Sequence, residues 1–293
     1  MPYDLVIRSH SVVTPGGPLP AAVTVREGRI AGVVPYDERP PSRAVVDLGE
    51  IALLPGLVDT HVHINEPGRG EWEGFPTATQ AAAAGGITTL IDMPLNSVPA
   101  TTDAEALRAK RAAADGHVHV DVGFWGGVVP ENLGRLRELY ESGVFGLKGF
   151  LSDSGVPEFP PLSETELGMA LAELAAFDGL MLVHAEDPAE LGEASGRGYE
   201  PFAASRPGSA EWQAVRTVIK AAGTTGGRAH IVHLAAAEAA PLIGAARASG
   251  IAISAETCPH YLYFAAEDVP DGATEFKACP PIRSADNRDR LWR

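Results

Sequence analysis

From about residue 51 onward the sequence alternates between short apolar, β-branched runs and Ala-, Leu- and Glu-rich stretches with helical spacing. The runs cover residues 57–63, 87–93, 118–124, 146–151, 180–184, 229–234 and 251–257, and stretches such as 104–110 and 166–174 lie between them. Strand followed repeatedly by helix predicts parallel strands joined by crossover helices. The runs are apolar throughout rather than alternating, as expected of strands covered on both faces. Seven such strands fit a doubly wound sheet or a (β/α)8 barrel lacking one unit. A dinucleotide-binding sheet would carry a Gly-x-Gly-x-x-Gly turn after its first strand, and this sequence has none there. That weakens the dinucleotide-binding alternative, and the expected fold class is α/β, a (β/α)8 TIM-type barrel missing its last unit, plus a small N-terminal part of a β-sandwich domain.

Residues 1 to about 50 read differently. Segments 3–8, 22–25, 29–34 and 44–47 are strand-like, with Glu27-Gly28 as a tight turn between the second and third. Strands this short cannot bury a face alone. The expected organisation is residues 1–50 as the N-terminal portion of a small β domain and 51–293 as the barrel, strands 1 to 7. At the far end, Ser284 is placed to cap a helix whose apolar face begins with Leu291 and Trp292. An eighth strand would come next.

A formal net charge of −15 argues against a nucleic-acid or anionic-membrane surface. No apolar run approaches the ~18 residues of a membrane span. Cys258 and Cys279 make no disulfide framework. The opening Met1-Pro2-Tyr3-Asp4 is charged where a signal peptide is basic and then apolar. These features predict a cytoplasmic protein with no nucleic-acid or membrane partner.

In a barrel of this kind working residues sit at the C-terminal ends of the strands. Here the first run ends in His61-Val62-His63, the fourth carries Lys148, the fifth ends in His184 and the sixth in His233. Residues two apart on a strand share a face, so His61 and His63 aim their imidazoles together. Each of these residues has an ordinary reading as a buried histidine or a surface-reaching lysine. Together they converge on one mouth, and neutral imidazole is a common zinc ligand. The other histidines fit less well. His117, His119 and His230 stand at strand starts, the end that serves stability, and His10 lies in the hairpin region. His260 follows the seventh run beside Cys258 and Pro259, in what reads as a shaped loop. Lys148 needs its own explanation, because an ammonium cannot ligate. A desolvated lysine loses its proton readily, and carbon dioxide would convert the amine to an anionic carbamate able to bridge two ions.

His61-Val62-His63, Lys148, His184 and His233 together resemble the amidohydrolase superfamily, in the cyclic amidase branch that holds dihydroorotases, hydantoinases and allantoinases. Three stretches resemble the allantoinases more closely: 63–69 (HINEPGR), 93–99 (MPLNSVP), and 256–261 (ETCPHY) with 277–283 (KACPPIR). Asn65 stands where dihydroorotases carry an arginine for the substrate carboxylate, and Asp153 about where hydantoinases carry a tyrosine. The resemblance implies His61 and His63 on one divalent ion, His184 and His233 on a second, most simply both Zn2+, and carboxylated Lys148 bridging them. It implies hydrolytic opening of allantoin to allantoate in purine catabolism, with Asn96 and Cys279 near the substrate and Arg69 pairing within its own loop. Dihydroorotase or hydantoinase activity is the alternative, or a non-catalytic amidohydrolase-like protein. Relatives in this family are commonly homotetramers. The family also places a proton-shuttling aspartate at the end of an eighth strand, followed by strands completing the small β domain. Neither has a counterpart up to Arg293, and neither Asp59 nor Asp92 takes the aspartate's place. The chain is thus read as C-terminally truncated, with inactivity expected of it as it stands.

Overall fold

A computed structural model of the protein describes residues 2–293. The chain divides into two units, one ending at Val58 and one spanning Asp59–Arg293.

The first unit is a four-stranded sheet in the order β3-β2-β1-β4, built from β1 (Tyr3–Thr14), β2 (Gly17–Arg26), β3 (Arg29–Pro35) and β4 (Ser42–Asp47). The first three strands form an antiparallel meander, and β4 runs parallel to β1. Glu27 and Gly28 both take positive φ, 51° and 71°, between the paired residues Arg26 and Arg29. This is the two-residue loop whose twist matches that of the flanking strands, and glycine at its second position adopts the left-handed backbone freely. β1 and β2 are longer than the sequence predicts, because the pairing carries on to Thr14 and Gly17. Val12, Ala21 and Val23 form a small core with Leu53 against it. Leu53 bridges Val12, donating to Ser11 O and accepting from Val13 N. Residues beyond 50 therefore still belong to this sheet.

From Leu57 onward the strands are β5 (Leu57–Val62), β6 (Ile87–Asp92), β7 (Asp121–Phe124), β8 (Gly126–Gly127), β9 (Leu147–Phe150), β10 (Leu180–His184), β11 (Arg228–Ile231) and β12 (Ile253–Ala255). Spatial order follows chain order, β5-β6-β7 and then β8-β9-β10-β11-β12. A doubly wound sheet reverses its strand order at a switch point, and none occurs here. β7 and β8 are two halves of one strand position broken at Trp125, whose N–H donates to Asp92 O. Close packing requires glycine in β8: a Cβ on Gly126 would lie 2.8 Å from Leu139 Cδ2, and one on Gly127 2.5 Å from Phe159 Cε2. Seven strand positions with intervening helices make the TIM-type barrel that the alternation predicts.

The helices are α1 (Phe75–Ala84), α2 (Ala104–Ala114), α3 (Leu136–Glu141), α4 (Glu164–Ala175), α5 (Tyr199–Ser205), α6 (Gly208–Thr225), α7 (Ala240–Ala248), α8 (Pro259–Tyr263) and α9 (Ala285–Leu291). Their starts follow local capping chemistry. Asp103 accepts from Ala106 N at 2.8 Å, and Ser163 and Glu166 form a reciprocal capping box. Both faces of β9 and β10 are buried, whereas β5, which also reads as an apolar run, leaves Leu57 and Val58 exposed. Met181 and Val183 pack outward with Leu167, Leu171 and Val215, while Leu182 packs inward with Phe150, Phe159 and Val232. This two-sided burial explains why these central strands read as continuous apolar runs.

Three sequence expectations need correction. Residues 118–120 lie outside β7, because His117 N turns back to Ala114 O. The sixth run stops pairing at Ile231, so His233 lies beyond the strand in left-handed backbone with φ 43°. Ser284 does cap α9, accepting from Asn287 N, but Trp292 is exposed, with its indole N–H on Leu262 O, and Asn287 is the buried residue of that helix. Among the described residues no helix is long and apolar enough to cross a membrane.

Candidate metal centre

His61 lies in β5 and His63 directly after it, with ring centroids 5.6 Å apart. The His61 ring is 5.2 Å from that of His233, and His233 is 4.6 Å from His184, the last residue of β10. Lys148 sits in β9, all four residues of which are buried, with its Nζ 3.5 Å from His61 Nε2. The four histidines and the lysine thus converge, His61, His63 and His184 from strand ends, Lys148 from within β9 and His233 from the turn after β11. Phe150 supports the group from β9. Its ring stacks on His184 at 4.6 Å and lies 5.0 Å from Lys148 Nζ.

Two carboxylates back the histidines. Glu256, just past β12, faces His61 Nδ1 at 2.5 Å and His230 Nε2 at 3.4 Å. Glu186 is fully buried, faces His184 Nε2 at 2.7 Å, and receives Arg206 at 3.0 Å and 2.5 Å. A carboxylate accepts only, so the nitrogen it faces carries the proton. This leaves His61 Nε2 with its lone pair toward Lys148, and His184 Nδ1 with its lone pair toward His233 Nε2, 3.0 Å away. His233 then donates from Nε2, and its buried Nδ1 has no partner; buried His63 Nδ1 is also unpartnered.

Burial sets the charge states. Desolvation is the largest influence on all four imidazoles and holds each below the ordinary histidine range, His63 and His233 well below it. Burial also brings Lys148 down to about 7. Glu256 is pushed up by burial, but its hydrogen bonds with His230 and His61 outweigh that and hold it at about 2.

Among the described residues no group of three or more His, Cys, Asp or Glu side chains is arranged as a finished ligand set. His184 and His233 hydrogen-bond to each other instead. The donors nonetheless fit a divalent ion. The imidazoles are neutral, two buried ring nitrogens are unpartnered, and His61 and His184 each have a carboxylate on the far nitrogen, the usual support of a metal-binding histidine.

The remaining candidates are more scattered. Asn96 is in left-handed backbone, φ 73°, and its carbonyl accepts from Arg69 Nη1 at 3.0 Å. Cys279 is exposed. Asn65 is buried, with its Oδ1 unpartnered. Arg69 stacks over Trp72 of its own loop, 5.0 Å from the ring, and its charge pairs outside the loop with Glu158, because the nearer Glu66 accepts from Phe75 N. His117 and His119 are exposed, His10 pairs with Glu50, and His260 lies in α8 with its Nε2 unpartnered. Sequence reasoning misses Glu186, Glu256, Phe150 and Arg206. Glu186 has a local signal, two residues after His184, but nothing local pairs residue 61 with residue 256.

The amidohydrolase family's sequence profile matches residues 52–277. The chain belongs to the amidohydrolase family. Among curated relatives it is 55% identical over 293 residues to an allantoinase of Streptomyces avermitilis, covering 99% of this chain and 66% of that protein. It is 46% identical over 310 residues to an allantoinase of Saccharomyces cerevisiae, covering 100% of this chain and 67% of that one. The chain thus spans about two thirds of the length of these relatives. Among solved structures it resembles an L-hydantoinase from Arthrobacter aurescens, with a TM-score of 0.90 and 29% identity over 99% of this chain and 66% of that one.

Proposed function

We propose that this chain carries the metal centre of an enzyme that hydrolyses a ring amide of allantoin, opening it to allantoate. The observation behind the proposal is a buried lysine set among four neutral histidines, in a chain 55% identical to a protein named allantoinase. His61 and His63 would hold one ion, His184 and His233 the other, and Lys148 would join them. Two divalent ions, with zinc well suited to imidazole and carboxylate oxygen, would polarise the ring carbonyl and lower the pKa of the attacking water.

The chain's own residues prepare this chemistry. At about pH 7 much of Lys148 is the free amine. Its nitrogen can add to carbon dioxide, forming an N–C bond and releasing one proton to water, and the carbamate offers two oxygens and a negative charge. Glu256 and Glu186 fix the tautomers of His61 and His184 with the lone pairs turned inward. Asn96 and Cys279 are the proposed substrate contacts. Asn65 carries no positive charge, which suits a neutral ring better than a substrate carboxylate. A hydantoin substrate is the second reading, supported by the likeness to the L-hydantoinase. Two free cysteines suit a reducing cytoplasm, and a homo-oligomer is the proposed assembly, to be checked by light scattering.

The test compares allantoin, hydantoin and dihydroorotate as substrates of a form extended past residue 293, alongside metal analysis. The highest kcat/KM is expected for allantoin, with two ions per chain. Faster opening of dihydroorotate or hydantoin would overturn the substrate, and absence of bound metal would overturn the centre.

A further inference from the structure

His233 is followed by Leu234-Ala235-Ala236-Ala237, a buried loop with no polar side chains of its own. Buried backbone donors need partners, and here distant elements supply them. Glu211, on α6 and 1% exposed, accepts from Ala235 N at 2.8 Å and Ala236 N at 3.0 Å through one carboxylate oxygen. Asn287, on α9, accepts from Ala237 N at 2.8 Å and donates to Ala235 O at 2.7 Å. Leu234 N donates to Glu256 O, and Leu234 O accepts from Thr257 Oγ1. The loop is therefore pinned along its length, directly after a histidine whose positive φ is unfavourable and persists only where the surroundings enforce it.

The same support reaches His184. The second oxygen of Glu211 receives Arg283 Nε at 2.9 Å and Nη2 at 2.5 Å, and Arg283 Nη1 donates to Arg206 O at 3.0 Å. The Arg206 side chain in turn grips Glu186, which holds His184. One guanidinium thus lies behind both rings of the pair whose nitrogens meet at 3.0 Å.

We propose that Glu211, Asn287 and Arg283 are positioning residues for the His184–His233 pair. They hold His233 in its left-handed backbone and tie the far side of His184 to the same anchor. This rests on the reading of both histidines as metal ligands.

The experiment titrates the metal-free protein with chelator-buffered Zn2+ and follows thermal unfolding without metal. The variants are Asn287→Asp, Glu211→Gln and Arg283→Lys, with Asn132→Asp as control. Asn132 is an equally buried asparagine, bonded to Val129 N, Thr102 O and Gly127 O, far from this loop in the chain. Supporting-residue changes around a metal typically cost 10–100-fold in affinity. The expected result is a loss of about tenfold or more for one of the two ions in the first three variants, with the other ion retained. The control should keep wild-type affinity at a similar loss of melting temperature. If Asn287→Asp does not fold, Glu211→Gln and Arg283→Lys carry the test. Zn2+ affinities within about twofold of wild type in every folded variant overturn the proposal while leaving the ligands standing. A wild-type protein that takes up no Zn2+ overturns the ligands and this proposal together.

Discussion

A buried lysine amine has few stable states, and the surroundings of Lys148 favour the uncharged one. Its Nζ faces a histidine nitrogen and a phenyl ring, and burial brings it down to about 7 from 10.5. Between those two values the unfolded chain holds a proton that the folded chain lacks. Stability of the metal-free protein should therefore rise with pH over that window, by about 1 kcal/mol per pH unit from this group. Below pH 7 both states are protonated and the slope vanishes. Lys148→Met removes the group, so urea unfolding at pH 7, 8 and 9 should show the wild type gaining on the variant at each step. Parallel curves would mean that the folded protein keeps the ammonium. With metal present, Lys148→Ala is expected to abolish binding of the ion pair, and elemental analysis that still finds two ions per chain would remove the lysine from the bridge. At this scale the sequence is legible where residue type and strand end coincide, as at His61 and His184, while Lys148 lies second among the four residues of β9. It is silent on Glu256, because the hydrogen bond to His61 joins residues 195 apart.

The helix α2 is tied to the end of β6 by a pair that no local pattern announces. Lys110 and Asp92 are both fully buried, with Nζ 2.6 Å from Oδ2 and 2.8 Å from Met93 O. The other Asp92 oxygen accepts from Ile64 N at 2.7 Å, fixing the backbone one residue past His63. Removing one partner of such a pair leaves an uncompensated buried charge, at a cost of about 3–5 kcal/mol, whereas removing both is often far milder. Lys110→Met should thus destabilise by that amount, and the double variant Lys110→Met/Asp92→Leu should recover much of it. Additive losses in denaturant unfolding would show that the pair is not coupled. Most elements are visible in advance because their signals are local: apolar runs for the strand positions from β5 to β12, Ser284 as a cap, and Glu27-Gly28 as a turn. Their ends are less so. The sixth run continues in apolar residues to Leu234, but the strand stops at Ile231 because Leu234 N is claimed by Glu256 O.

At the scale of the molecule, the two compositions on either side of residue 50 announce two units, while the boundary moves to Val58 through a contact across 41 residues, Leu53 beside Val12. A net charge of −15 suits a protein that gathers divalent cations more than one that binds polyanions. All five proposed ligands belong to the second unit, so metal should act on the units unequally. An ion that binds only the folded form at about 100 times its dissociation constant adds about 2.7 kcal/mol to any opening that destroys its site, or roughly a hundredfold slower exchange. Amide hydrogen exchange with and without Zn2+ should therefore show this protection in β9, β10 and residues 232–237, while β1 to β4 stay unchanged. Equal slowing in β1 to β4 would mean that the units open together and that Val58 marks no energetic boundary. No slowing anywhere would mean that the histidines pack against one another without serving an ion.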